Sequence, residues 1–464
     1  MKRLSLLAAA AAAVLAFAAP ALAESPFWPV QPKGAPVAAE LRGAWKSRGY
    51  GWIVLFGPDG AQLFQTAGEA CYPDPRREPD PDGVLSLWRA EGQGTITLTG
   101  SQDGTRYLFD KLPNLPTPCI AAAAWTPDRI VAFAADTFAA YYPRSAERGL
   151  DWPARKVAAL AQVGPSATDA QLWTALSGLM AGLDDPHVEL HGMVAGSRRD
   201  LEPGESPTLN RVHAADPQGD EKAWLQAYRE GILTGILQGR GRQAANNRVF
   251  WGRVDDIGYM NIVTMGAFAR NAAPDDPRPL DPVLDEAMAA FAGAKAVIVD
   301  VSNNRGGYDT IGQRIAARFA AQPRAAYAKV PVGAKAPPQP VKVEPASAAG
   351  FTGPVYLVTS DITVSAGETF TLMMKALPNV TQVGGATRGA FSDQLPKPLP
   401  NGWTMALPAE LYKGPEGQDL EGRGLVPDVP MAIFPDSDLS GGHAKAIAGL
   451  ITKIRDGSVG TGSR

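Results

Sequence analysis

Ser365 is the first residue whose setting points to chemistry. It lies in Thr359-Ser-Asp-Ile-Thr-Val-Ser-Ala-Gly-Glu-Thr-Phe370, between strand formers and a helical run. A serine there has two uses. With Glu368 it makes the S-x-x-E pattern of a capping box, in which both side chains satisfy helix-start N–H groups. Alternatively its Oγ projects at the C-terminal edge of a sheet, where α/β sites form, and the Ala366 N–H stands at the positive end of the helix. An attacking serine needs a base, because a free hydroxyl is scarcely ionised at neutral pH. Four histidines are available: His187, His191, His213 and His443. His187 is best placed, in Gly182-Leu-Asp-Asp-Pro-His-Val-Glu-Leu190 just past an amphipathic helix.

A second feature is Asp300-Val-Ser-Asn-Asn-Arg-Gly-Gly307, a buried strand running into two glycines and then a helix. Glycines let backbone N–H groups face an anion or oxyanion, or simply make a tight turn. The G-x-G-x-x-G fingerprint and the Gly-Lys-Ser/Thr phosphate loop are absent. So are the G-x-S-x-G elbow and S-x-x-K. His187, Glu189 and His191 alternate and raise a metal site, but Val188 stands where the helical zinc motif needs Glu.

The elements that must position these residues follow from periodicity. Residues 24–125 read as a small all-β unit, an antiparallel barrel or sandwich. Its strands fall at 51–56, 61–66, 85–90 and 95–99, with a loop at 74–82. Residues 126–191 read as helical, with one run at 129–142. A second run carries Leu172, Leu176, Leu179 and Leu183 on one face, with Ser166 and Asp169 as its start signal. Residues 192–256 are polar and weakly periodic, with a helical stretch at 222–237. Residues 257–433 alternate between strand and helix: strands at 258–263, 296–301 and 355–359, helices at 282–291 and 310–319, and a linker at 323–345. Residues 434–464 form a C-terminal tail or helix.

The chain of 464 residues is 45% hydrophobic and 20% charged, an ordinary globular balance of two to four domains. A net charge of −3 gives no basic excess for nucleic acid or anionic membranes. Lys2 and Arg3, an apolar run from Leu4 to Ala19 and Ala21-Leu-Ala23 read as a signal peptide, residues 1–23, cut after Ala23. No later segment is apolar enough to span a bilayer. An exported protein meets an oxidising compartment, so Cys71 and Cys119, the only cysteines, are expected to pair.

Together these motifs resemble the C-terminal-processing (tail-specific) and tricorn-core serine peptidases. Val297–Tyr308 looks like the family's DLRxNxGG turn, Val355–Glu368 like its nucleophile segment, Gly384–Gly389 like GexTxG, and Leu420–Asp428 like eGxGixPD. The resemblance covers residues 127–430, in order. It implies a ClpP/crotonase-like α/β core behind the all-β unit and the helical segment, with no metal or organic cofactor. It implies Ser365 as nucleophile and an oxyanion hole from Gly306 or Gly307 with Ala366. The Ser–Lys branch places a lysine after Thr-x-Gly; Ala390 stands there. The histidine-using branch has L-x-D-x-H, similar to Leu183-Asp-Asp-Pro-His187, and a glutamate matching Glu421. Its extra serine before the histidine is Pro186 here. No PDZ pattern is evident in 192–250. The implied partner is a peptide or unfolded protein, in the periplasm or outside the cell. The principal rival is a non-catalytic ligand-binding protein on the same fold.

Overall fold

The computed structural model describes residues 26–76, 83, 85–121, 124–216, 218 and 220–459. The signal-peptide reading, and most of the loop at 74–82, lie outside the described residues.

Period-two alternation and short turns build an eight-stranded antiparallel sheet from the N-terminal residues. Trp52–Phe56 returns as Ala61–Ala67 through the Pro58-Asp-Gly60 turn, in register from Trp52↔Gln65 to Phe56↔Ala61. Leu87–Gly92 and Thr95–Thr99 form the next hairpin, and Gly43–Ser47, Ala70–Pro73 and Tyr107–Lys111 extend the sheet. Trp45, Val54, Phe56, Leu63, Ile96, Leu98 and Phe109 share one buried core. Cys71 and Cys119 form the expected disulfide.

Helices Pro127–Tyr141, Trp152–Leu160 and Asp169–Met180 follow. The last starts at Thr168, whose side chain accepts the Gln171 N–H, while the Gln171 side chain accepts the Thr168 N–H. The start signal is therefore Thr168 with Gln171, in place of the expected Ser166 with Asp169. Leu172, Leu176, Leu179 and Leu183 are buried as their spacing predicts.

The central seven-stranded sheet is mainly parallel. Ile257–Ile262, Ala296–Asp300, Val355–Thr359 and Val380–Gly384 lie side by side, with Asp281–Phe291, Asp309–Ala316 and Ala366–Lys375 as crossover helices. The central strands are buried on both faces, which is why they read as unbroken apolar runs. Ala296–Asp300 and Val355–Thr359 are neighbours, with Asp300 opposite Val358. The glycine turn and the Ser365 loop therefore leave the same sheet edge side by side.

One expectation needs correction. The linker at 323–345 is a hairpin, Arg324–Pro331 with Gln339–Val343, joined by Glu410–Lys413. Its prolines fit because Pro340 is on an edge strand and Pro331 ends its own. The weakly periodic 192–256 region carries its expected helical stretch at 222–237. It holds the hairpin Glu189–Val194/Ser197–Leu201, the helix Pro207–Ala215, and the helix Lys222–Glu230 that continues as a π-helical turn Gly231–Ile236.

The N-terminal sheet is fastened to the core by buried polar groups. Lys397 Nζ donates to the Tyr50 carbonyl (2.5 Å), the Gly51 carbonyl (3.1 Å) and Gln65 Oε1 (2.9 Å). Burial pushes its pKa well down. Tyr50 OH donates to Glu410 Oε1 at 2.6 Å, and Thr105 Oγ1 to Asp393 Oδ2 at 3.0 Å.

Candidate active site

Ser365 begins the helix Ala366–Lys375 with φ +58° and ψ −127°, and its side chain makes no capping bond. The serine half of the capping box is therefore absent, while the Glu368 carboxyl still faces the Ser365 backbone N–H. The Glu368 carboxylate also reaches across the loop, accepting the Gly389 and Ala390 N–H groups at 2.7 Å each. A non-glycine residue held at positive φ costs about 1–3 kcal/mol and persists only where its surroundings fix it. Here Ser365 N–H donates to the Ala390 carbonyl at 2.9 Å, and its own carbonyl accepts the Glu368 and Thr369 N–H groups at 2.7 and 3.1 Å. Oγ is thus turned away from the helix.

It is turned toward the glycine turn. A Cβ on Gly306 would stand 2.6 Å from Ser365 Cβ and 3.1 Å from its Oγ, and one on Gly307 would stand 2.3 Å from the Met265 carbonyl oxygen. Both glycines have positive φ, +85° and +136°. Their amides differ. Gly306 N–H donates to Asn304 Oδ1 at 2.9 Å and is thereby occupied. Among the described residues, neither the Gly307 N–H nor the Ala366 N–H donates to an acceptor.

His187 is buried in a turn made by its own neighbours: its backbone N–H donates to Asp185 Oδ1 at 3.0 Å. Burial lowers the imidazole pKa below its ordinary value, against the opposing charges of Asp185, Asp393, Glu189 and Asp309. Burial therefore favours the neutral ring, the form able to accept a proton. Its Nδ1 is buried without a partner. Among the described residues no hydrogen bond joins it to Ser365 or to Glu421. Pro186 and Val364, the residues just before His187 and Ser365, line one cleft of about 530 Å³, with Arg388, Asp361 and Ile362 in its walls.

Glu421 is fully buried. Its Oε2 accepts the Phe391 and Ser392 N–H groups at 3.1 Å each, and its Oε1 has no partner. Burial, then the charges of Asp185 and Glu368, push its carboxyl well above the usual range. Burial likewise pushes Glu368 up to about 7. Two glutamates thus hold residues 389–392, the segment whose Ala390 carbonyl fixes Ser365.

Sequence reasoning missed Asp185. Besides the His187 N–H, it accepts Tyr142 OH at 2.8 Å and pairs with Arg148 at 3.2 Å. The Asp-x-His spacing was the available signal. Also missed was the buried group around Lys329, which donates to Thr105, Asp393 and Tyr412 at 2.7, 2.8 and 3.2 Å. Its members come from distant elements. The metal reading loses its geometry, because the two ring nitrogens of His191 face Asp200 (2.6 Å) and Glu189 (3.0 Å). Among the described residues no group of His, Cys, Asp and Glu is placed to hold a metal ion.

Residues 256–431 match the model of peptidase family S41. Among solved structures, a candidate peptidase from Parabacteroides merdae is 21% identical with a TM-score of 0.57, the match covering 71% of this chain and 97% of that one. Mature CPAF in complex with lactacystin is 12% identical with a TM-score of 0.51, covering 72% and 99%. These likenesses show the fold. No curated protein matches the chain.

Proposed function

We propose that residues 256–431, which match the model of peptidase family S41, are the catalytic domain of an exported serine peptidase that cleaves peptide bonds through an acyl-enzyme on Ser365. The observation that carries the reading is the backbone of Ser365. It is held at positive φ with its side chain uncapped and turned to Gly306, beside two N–H groups without acceptors. Ser365 Oγ attacks the scissile carbonyl, and the Gly307 and Ala366 N–H groups receive the oxyanion. Each such donor supplies about 3 kcal/mol of transition-state stabilisation. His187 takes the Oγ proton and returns it to the leaving amine, a role that suits a ring kept neutral by burial. Glu421 acts through the backbone, fixing Phe391 and Ser392 beside the Ala390 carbonyl. The substrate is an extended or unfolded peptide lying in the cleft between Pro186 and Val364. Export is supported by the N-terminal Lys2–Ala23 pattern and by the disulfide.

One observation favours the rival, a binding protein: among the described residues Ser365 Oγ has no hydrogen bond to a base. Triads are often looser before substrate arrives, so a chemical test decides. A fluorophosphonate probe is expected to label the wild type and not Ser365→Ala. His187→Ala is expected to label at least about 100-fold more slowly while staying folded. A folded wild type that takes no label overturns the enzyme reading. Labelling of His187→Ala at the normal rate overturns the choice of base.

A further inference from the structure

His443 has no part in this chemistry, yet it is almost wholly enclosed. It stands at the start of the C-terminal helix Gly442–Asp456, its ring against Tyr228 and Phe434 with centroids 4.5 and 5.8 Å away. Its Nε2 meets Asp300 Oδ2 at 2.7 Å. Asp300 ends the strand that feeds the glycine turn and is fully buried. The same Oδ2 accepts Tyr259 OH at 2.7 Å, while Oδ1 accepts the Ser302 N–H at 2.9 Å and its Oγ at 2.7 Å. A carboxylate at this depth persists only when donors surround it. Four surround this one.

The carboxylate closes the turn that leads to Gly307, and that turn is stitched to the Ser365 loop at three points. Ser360 Oγ donates to the Ser302 carbonyl at 2.6 Å, Thr363 Oγ1 to the Val301 carbonyl at 2.8 Å, and Val364 N–H to the Asn304 carbonyl at 3.2 Å. Residues 300–304 therefore set where the Gly307 N–H stands relative to Ser365.

We infer that the His443–Asp300 pair is a positioning device for the oxyanion site, which makes the C-terminal helix part of the catalytic apparatus. The inference rests on the roles given above to Ser365, Gly307 and Ala366. An oxyanion donor acts only when aimed at where charge develops, so slack in the 300–304 turn weakens transition-state binding and spares substrate binding.

The test compares His443→Ala with His443→Gln, which keeps an N–H donor for Asp300. Active sites are counted with the fluorophosphonate. Turnover of a peptide amide is then measured beside affinity for a peptide aldehyde, whose adduct on the serine mimics the tetrahedral oxyanion. His443→Ala is expected to lose about tenfold in kcat per counted site, a fraction of the ~100-fold loss that a 1 Å misplacement brings. KM is expected within about twofold of wild type, and the aldehyde to weaken by the same factor as kcat. Glutamine is expected to restore most of both. If His443→Ala does not fold, Ser302→Ala carries the test, since it removes one donor from Asp300 and leaves the backbone N–H in place; the same joint fall is expected. The inference is overturned if kcat and aldehyde affinity stay at wild-type values, if the loss lies wholly in KM, or if glutamine and alanine behave alike. Failure of the underlying reading looks different: the wild type itself takes neither probe nor aldehyde at Ser365.

Discussion

Gly306→Ala tests the geometry of the site directly. The new Cβ would stand 2.6 Å from Ser365 Cβ, against a comfortable carbon–carbon contact of about 3.5–4.0 Å, so one of the two must move by about 1 Å. Gly306 is held on both sides, its N–H to Asn304 Oδ1 and its carbonyl accepting from Met265 N–H and Thr264 Oγ1. Ser365 is held as well, so whichever side gives, the oxyanion turn and the nucleophile shift relative to each other, and a misplacement of about 1 Å is expected to lower kcat/KM roughly 100-fold, or about 2.7 kcal/mol of activation free energy. Alanine at φ +85° also strains the backbone, at about 1–2 kcal/mol of stability. Gly402 supplies the control, with the same φ of +85° and nothing within 4 Å of where a methyl would project. Gly402→Ala is expected to lose a similar stability and no activity. Urea unfolding and peptide turnover on the three proteins separate the two effects. If Gly306→Ala turns over peptide within about threefold of wild type, the packing of Gly306 on Ser365 does not hold the nucleophile in place.

Two pH dependences follow together. Burial disfavours protonated His187, so the base stays competent below its ordinary range, and the acid limb of kcat/KM is expected to have its midpoint below the ordinary histidine value of about 6.5. A midpoint at or above that value would mean that another group titrates or that His187 is not enclosed in solution. Glu368 runs the other way: its folded-state pKa of about 7 exceeds the ordinary glutamate value of 4.5, so the folded state binds more protons between these values and stability falls as pH rises through that window. The loss approaches about 3 kcal/mol above pH 7. Glu368→Gln is expected to flatten this slope in urea midpoints taken at pH 5 and pH 8; an unchanged slope would show that Glu368 is not its source.

Much of the fold was legible because its signals are local. The Pro58-Asp-Gly60 turn, the buried run Ala296–Asp300 and the leucine spacing from 172 to 183 each announce their element within a few residues. The site was legible as motifs, less so as contacts. The S-x-x-E pattern announces the helix start but not that Glu368 also reaches 21 residues ahead to Gly389, a contact that tertiary structure adds. Gly306 and Gly307 are equivalent as letters; the Asn304 side chain separates them by occupying one amide. The hairpin at 324–343 was hidden because proline and lysine suggest loop, and its pairing partner Glu410–Lys413 lies far along the chain. Asp185, Lys329 and His443 could not be ranked from sequence, since their importance comes from enclosure and from partners that folding supplies.

The seating of Lys397 carries a consequence for how the chain can be divided. The buried Lys397 head group, cut off from water, depends on the Tyr50 and Gly51 carbonyls and the Gln65 amide for its hydrogen bonds. Deleting the N-terminal sheet would leave Lys397, on the strand Gln394–Pro398, buried without these three acceptors. The sheet is thus not a removable accessory riding on a self-sufficient peptidase. It is half of a lock whose key is carried by the other half, and a minimal enzyme cut from this chain would have to be redesigned at position 397 before it could stand alone.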